Sequence, residues 1–253
     1  MLKQFFSALL TIQCCLGLMA CQPSQSAVTS DQVNANDYDA FWIWGNIKST
    51  PYLSNAKEIY ILQGEVRLEK SSNHSILIQQ GISVVKIPHQ KIWLVFRNHH
   101  LNWQSTEIEN ILQRVLQWES AGNHIQGIQI DFDVPTKNLK AYGLFLQQLR
   151  KQLPQHYQLS ITSLMDWGNL RDPDTLRLFR ENIDEMVIQT YQGSTTIPNY
   201  QAYLTKASTL KLPYKIGLVQ HGKWDHQLRF DTDPNFKGFV VFLLRQNNRE
   251  LIQ

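Results

Sequence analysis

Eight short segments of the chain are rich in β-branched and aromatic residues and are bounded by turn formers: 40–45, 58–66, 92–97, 125–133, 158–164, 185–191, 214–220 and 238–244. Several are nearly continuous apolar runs, as expected of strands covered on both faces. Between them the apolar spacing changes from two to three and four. Over 105–121, Ile108, Ile111, Leu112, Val115 and Leu116 share one helical face, with Thr106 and Glu109 at capping-box spacing and Gly122 placed to close the end. Over 138–153, Leu139, Tyr142, Leu146, Leu149 and Leu153 repeat the stripe until Pro154 stops it. Segments 172–182 and 199–210 read as shorter helices. The first two crossovers, 46–57 and 69–91, show only weak helical periodicity.

Strand–helix alternation to a total of eight predicts an α/β protein whose single domain, 38–253, is a (β/α)8 TIM-like barrel. Only residues 246–253 follow the last strand, so the closing helix is expected to be truncated. An open, doubly wound sheet is the alternative. It usually carries a glycine-rich phosphate turn after its first strand, and Gly45-Asn46-Ile47-Lys48 is not one.

The composition, 43% hydrophobic and 18% charged over 253 residues, is that of ordinary globular protein and excludes collagen-like and wholly disordered classes. A net charge of +3 without a Lys/Arg stripe argues against a nucleic-acid partner. All three cysteines, Cys14, Cys15 and Cys21, lie in the first 21 residues, so the rest of the chain has no thiol nucleophile, thiolate metal site or internal disulfide. Lys3 precedes an apolar run from Phe5 to Ala20, which reads as a secretory signal over 1–20. The ending Leu18-Met19-Ala20-Cys21 resembles the lipobox of bacterial lipoproteins, which implies cleavage before Cys21 and its acylation. The alternatives are a plain cleaved signal and an N-terminal anchor kept intact. Gln22 after the cysteine implies, by the same resemblance, the outer membrane of a Gram-negative envelope, with 21–37 as lipidated cysteine and flexible tether.

In a barrel the chemistry collects where the strands end. Period-two alternation puts Gln129, Asp131 and Asp133 on one face of the fourth strand, with Ile128, Ile130 and Phe132 on the other. Gln63 and Glu65 share a face of the second strand. Trp44 and Arg97 end the first and third, Asp166-Trp167 follow the fifth, Gln189 and Tyr191 lie on the sixth, and Gln220 ends the seventh. Acids, amides, Arg, Tyr and Trp at one mouth suit sugar hydroxyls and pyranose faces. Asp131 and Asp133 are i and i+2, about 6.6 Å apart along a strand. Their mutual repulsion raises one pKa, which makes a general acid beside a charged partner. The D-x-D spacing equally suits a cation site or a satisfied polar cap. Glu65 and Arg97 could also pair with each other at the rim. Trp103 and Trp118 are assigned to packing. His99-His100 and His221 with His226 lack further ligands at zinc spacing, so no metal and no cofactor are expected. No Gly-x-Ser-x-Gly elbow is present.

Gly127-Ile128-Gln129-Ile130-Asp131-Phe132-Asp133 resembles the fourth-strand D-G-x-D-x-D-x-E signature of family-18 chitinases, with Asp133 on the catalytic Glu and Asp131 on the last Asp. Gln189-Thr190-Tyr191-Gln192 resembles their M-x-Y-D segment. Residues 216–218 with Gly222 and Trp224 resemble their seventh strand, and Phe242 lies near the place of their eighth-strand Trp. Over about 38–245 the chain looks closer to a bacterial group, domain of unknown function family 3142. The residues that carry this are Phe41-Trp42-Ile43-Trp44-Gly45, 127–133, Leu159-Ser160-Ile161-Thr162 with Asp166-Trp167, Asp184-Glu185 with 189–193, and Gly217-Leu218. The chitinase resemblance implies substrate-assisted hydrolysis, with Asp133 as acid/base, Asp131 steadying the acetamide charge and Tyr191 bonding the acetamide oxygen. Three departures bear on this. Asp133 is one methylene shorter than Glu, Gln126 and Gln129 stand in two Asp places, and Phe242 stands for Trp. Asp166 or Glu65, across the mouth, could then be the second carboxylate.

The expectation is a monomeric envelope lipoprotein that hydrolyses a polysaccharide or peptidoglycan-type glycan containing amino sugar. Asp133, Asp131 and Tyr191 would be catalytic, and Trp44, Glu65, Arg97, Asp166, Trp167, Gln189, Gln220 and Trp224 would bind substrate. The alternatives are a catalytically silent barrel that binds such a glycan through Trp44, Trp167 and Tyr191, and an assembly factor that uses its outer surface.

Overall fold

The computed structural model describes residues 31–45 and 51–244, which fall within one compact unit. The signal segment, Cys21, most of the tether and the truncated final helix lie outside the described residues. Eight parallel strands form the barrel: β1 Ala40–Ile43, β2 Glu58–Leu68, β3 Lys91–Asn98, β4 His124–Asp131, β5 Gln158–Leu164, β6 Glu185–Gln189, β7 Tyr214–Val219 and β8 Phe236–Phe242. Each pairs with the next in parallel, and β1 pairs with both β2 and β8, so the sheet closes. The expected (β/α)8 barrel is the observed fold, and the open-sheet alternative is excluded by that closure. No helix among the described residues is long and apolar enough to cross a membrane.

Helices α1 Ser105–Ser120, α2 Leu139–Gln152 and α3 Pro173–Asn182 cover the middle of the barrel. Their apolar stripes meet the outward residues of the strands, among them Ile128, Ile130, Leu159 and Ile161, in one continuous core. The start of α1 differs from the capping box expected at Thr106 and Glu109. The helix begins at Ser105, so Glu107 occupies its third position and accepts the Gln104 backbone N–H at 2.5 Å. At the other end, Gly122 takes φ +84°, and its N–H reaches the Glu119 carbonyl. Pro173 opens α3 behind Asp172, whose carboxylate accepts the Thr175 N–H at 3.2 Å.

The weakly periodic second crossover is not helical. Residues Ser75–Gln79 turn back and add an antiparallel strand to the outer edge of β2. The first crossover holds a single helical turn, Pro51–Ser54, and 199–210 divides into α4, Tyr200–Leu204, and the 3-10 turn Ala207–Leu210. β2 carries a bulge between Leu62 and Gly64. The extra residue, Gln63, faces the outer helices, where its Oε1 accepts Trp118 Nε1 and Arg114 Nε, each at 2.7 Å. Gln63 and Glu65 therefore do not share a face, and the bulge alone returns Glu65 to the barrel side.

The barrel interior is filled. Ala40, Trp42, Tyr60, Trp93, Val95, Val187 and Val240 form its apolar packing, with Tyr60 stacked on Trp93 at 5.6 Å. Trp42 crosses toward β7, where a Cβ on Gly217 would sit 2.7 Å from its ring, so glycine makes room for the indole. Beneath it Lys215 bonds Glu185 at 2.9 Å, Glu58, and the Tyr60 hydroxyl at 2.9 Å. Burial opposes the Lys215 charge, but Glu185 and Glu58 outweigh it and raise the lysine pKa. A chain of hydrogen bonds climbs from there: Ser160 donates to Glu185 at 3.1 Å, Gln129 to Ser160 at 2.9 Å, and Trp42 Nε1 to Gln129 at 2.6 Å. Gln129 thus supports the floor of the mouth rather than facing it.

Candidate active site at the barrel mouth

β4 ends at Asp131, two residues earlier than its pattern predicts, because Phe132 onward leaves the ladder for the loop toward α2. The inward turn of Asp131 follows from its parity with Gln129. It is 5% exposed, and its carboxylate accepts the Thr162 hydroxyl at 2.9 Å. Thr162, inward on β5, also accepts the Phe132 N–H at 3.2 Å, so it fixes both the acid and the chain just beyond it. Gln189, at the end of β6, donates to the same carboxylate, and Arg97 Nε lies 3.8 Å from its second oxygen.

Burial raises the Asp131 pKa from 3.8 to about 6, with the Asp133 charge adding to it; Thr162, Arg97 and Gln189 act the other way and do not restore the ordinary value. Asp133 is exposed in the loop past the strand end, close enough for its charge to act on both Asp131 and Tyr191. The Tyr191 ring stacks on Phe242 at 5.6 Å and meets Trp42 edge-on at 6.3 Å. Burial, then Asp131 and Asp133, hold its hydroxyl well above the ordinary phenol range, so it stays a neutral donor. Trp44 stands edge-on to Phe242 at 5.3 Å, and Arg97 lies 5.3 Å over the Trp44 ring. Asp131, Asp133, Tyr191, Gln189, Arg97 and Trp44 are therefore brought together.

The other predicted residues are not. Glu65 reaches the rim in register with Arg97, yet it accepts from Gln80 and pairs with His99 at 3.0 Å and Arg67 at 3.9 Å. The Glu65–Arg97 pair considered from the sequence does not form. Asp166 sits in the 3-10 turn after β5 and is held by the Thr136 hydroxyl at 2.5 Å. Trp167 is 2% exposed, donates to the Val134 carbonyl at 3.0 Å and packs on Tyr142 and Phe179, which leaves no face for a sugar. Trp224 is buried against Tyr200, Phe230 and Phe239 in the outer layer. Gln220 follows the end of β7, and its side-chain carbonyl accepts the Leu244 N–H at 3.1 Å, a latch between strand ends. Local pattern could not separate these residues from ligands, because a strand end does not say which way the following turn points. Thr162 was missed as a site residue, although its inward parity with Ser160 was readable.

Among the described residues no group of three or more His, Cys, Asp or Glu side chains is placed to hold a metal ion. His99 is engaged by Glu65, and His100 lies 3.3 Å from the Ser75 hydroxyl.

The fold and the mouth together define a TIM-like α/β barrel with a buried carboxyl at its C-terminal opening. Residues 97–210 match the family described as Domain of unknown function (DUF3142), the resemblance read from the sequence. The match runs from Arg97 at the end of β3 through β6 and includes Asp131, Asp133, Thr162, Gln189 and Tyr191. No curated protein matches the chain. Similar solved structures include the spore cortex-lytic enzyme SleL of Bacillus cereus, at 17% identity and TM-score 0.46, over 71% of this chain and 49% of that one. This chain thus spans about half the length of SleL. The chitinase domain of the spore coat protein CotE from Clostridium difficile is 12% identical over 79% of this chain and 70% of that one, TM-score 0.46. A curdlan-specific exo-beta-1,3-glucanase from Blastomyces gilchristii is 11% identical over 83% of this chain and 91% of that one, TM-score 0.44.

Proposed function

We propose that the barrel mouth hydrolyses glycosidic bonds of an envelope or extracellular glycan containing amino sugar. The observation that carries this reading is Asp131: a buried carboxyl at the C-terminal mouth, raised toward neutral pH, with a second acid beside it and an aromatic wall of Trp44, Tyr191 and Phe242. Asp133, exposed past the strand end, is the carboxylate that reaches the glycosidic oxygen. The proton that the raised Asp131 carboxyl holds passes through Asp133 to the leaving sugar as the anomeric carbon–oxygen bond breaks, and ionised Asp131 is then the charge partner, held by Thr162 and Gln189. Water then supplies a hydroxyl to the anomeric carbon, and its remaining proton returns through Asp133 to Asp131, while the neutral Tyr191 hydroxyl donates to the acetamide. The chitinase-like sequence pattern supports the last assignment.

Incubation of the full chain in mild detergent with chitooligosaccharides, poly-N-acetylglucosamine and peptidoglycan fragments tests this, with mass spectrometry reading new reducing ends. Cleavage that falls by two to four orders of magnitude in Asp133→Asn supports the reading. Cleavage indifferent to both Asp133→Asn and Asp131→Asn sinks it.

A silent glycan-binding barrel is the second reading. It is favoured by Glu65, whose carboxylate pairs with His99 and Arg67 and accepts from Gln80, and by Asp166, one of whose oxygens accepts from Thr136, so among the described residues no second carboxylate is seen paired to the Asp131 side of the mouth. On that reading Asp133→Asn leaves glycan affinity unchanged and no wild-type turnover is seen. The proposal includes acylation of Cys21 and an outer-membrane address. Incorporation of a labelled fatty acid, abolished by Cys21→Ser, is the expected result.

A further inference from the structure

Resting on the glycan reading of this mouth, we infer that the glycan is anionic: Arg97 receives a carboxylate, sulfate or phosphate substituent of a sugar bound beside Asp131. Arg97 points inward near the end of β3, and 44% of its side chain remains accessible. Two contacts hold it. Its Nε lies 3.8 Å from Asp131, longer than a hydrogen bond, and its guanidinium lies 5.3 Å over the Trp44 ring. No other ion pair or hydrogen bond of Arg97 occurs among the described residues. Arg97 is in register with Asp131 on β4 and with Glu65 on β2; the first lies 3.8 Å from its Nε, and the second is committed to Gln80, His99 and Arg67.

Among the described residues the anion paired with Arg97 is Asp131, through Nε, so the terminal guanidinium nitrogens have no carboxylate partner there, on a side chain braced against an indole at the edge of the mouth. Their planar fork fits a two-oxygen anion and fits a neutral hydroxyl less well. Charge around the rim gives the direction. On the β2–β3 side Glu65 offsets Arg67 and Arg97 faces the mouth, with exposed Asp133 on the β4 side, so an anionic group is drawn toward Arg97 while the scissile bond lies over the acids. The Trp44 ring touches both Arg97, over its face, and Phe242, edge-on, at this side of the mouth.

Titration calorimetry on the full chain in mild detergent tests this with three oligosaccharides that share the acetamido sugar: a neutral chitooligosaccharide, a carboxylate-bearing N-acetylglucosamine–N-acetylmuramic acid oligosaccharide and a sulfated chitooligosaccharide. The expected result is at least about tenfold tighter binding of one anionic probe than of the neutral one. Arg97→Gln abolishes the difference, Arg97→Lys keeps part of it, and added salt shrinks it. The two anionic arms tell carboxylate from sulfate. Equal binding of neutral and anionic probes, or a preference that survives Arg97→Gln, overturns the inference and leaves glycan hydrolysis standing. Anion-dependent binding without any cleavage does the reverse. Absence of binding to all three probes overturns both.

Discussion

Asp131 carries the sharpest residue-scale consequence. Unfolded, it titrates at its ordinary 3.8; folded, at about 6. Between those values the folded chain keeps a proton that the unfolded chain has lost, so the stability due to this group is present at low pH and falls as pH rises to about 6. The full effect is about 3 kcal/mol at most. Asp131→Asn removes it, and the melting temperature of the variant relative to wild type rises by several degrees between pH 4 and pH 7. A difference independent of pH would mean that the carboxyl is solvated. Gly217 is a steric counterpart. In Gly217→Ala the new methyl meets Trp42, and a loss of about 1–3 kcal/mol in denaturant unfolding is expected, with Gly222 and Gly238 outside that contact. Asp131 was legible because inward parity on a long apolar strand is a local property. Trp167 and Trp224 were misread because an indole after a strand end looks the same whether it faces sugar or a neighbouring helix.

At the scale of elements, the barrel is tied at its lower end by three strands meeting at one cation. Lys215 on β7 serves Glu58 on β2 and Glu185 on β6. Lys215→Met leaves buried Glu185 and half-buried Glu58 without their partner and is expected to cost about 3–5 kcal/mol in chemical denaturation. Adding Glu58→Gln and Glu185→Gln to the variant recovers part of that loss; no recovery would mean that packing, not charge, sets the penalty. The cap of α1 is a smaller test. Glu107→Ala removes the acceptor of the Gln104 N–H and should cost about 1 kcal/mol, while Glu109→Ala on the exposed face should cost little. The helical stripe was readable here, but the start of the helix was not. A capping side chain two positions away satisfies the same free N–H groups, and only the path of the chain leaving β3 selects between them. The antiparallel strand Ser75–Gln79 was invisible for a related reason. Its weak pattern acquires a structure only from the edge of β2 that it covers.

For the whole molecule, closure is uneven. β2, β3 and β4 pair over long registers, whereas among the described residues β1 meets β8 in register only through Phe41 with Val241 and Trp42 with Phe242. The β1–β8 seam is therefore expected to open first, with amide exchange at Phe242 and Leu243 faster than at Leu94 and Phe96 under native conditions. Uniform protection around the ring would contradict this. The seam also carries Trp44 and Phe242, so its opening and the shape of the mouth are linked. The eight barrel strands, their order, the three longer helices and the inward face of β4 are legible from the chain alone, because periodicity and punctuation are written residue by residue. Closure over an open sheet, the bulge that turns Gln63 out and Glu65 in, and the set of polar strand ends that converge on Asp131 emerge only on folding. Those outcomes depend on side chains far apart in the chain competing for the same partners. Glu65 is taken by His99 and Gln80, Asp166 by Thr136, and Gln220 by Leu244, which leaves Arg97, Gln189 and Thr162 to Asp131.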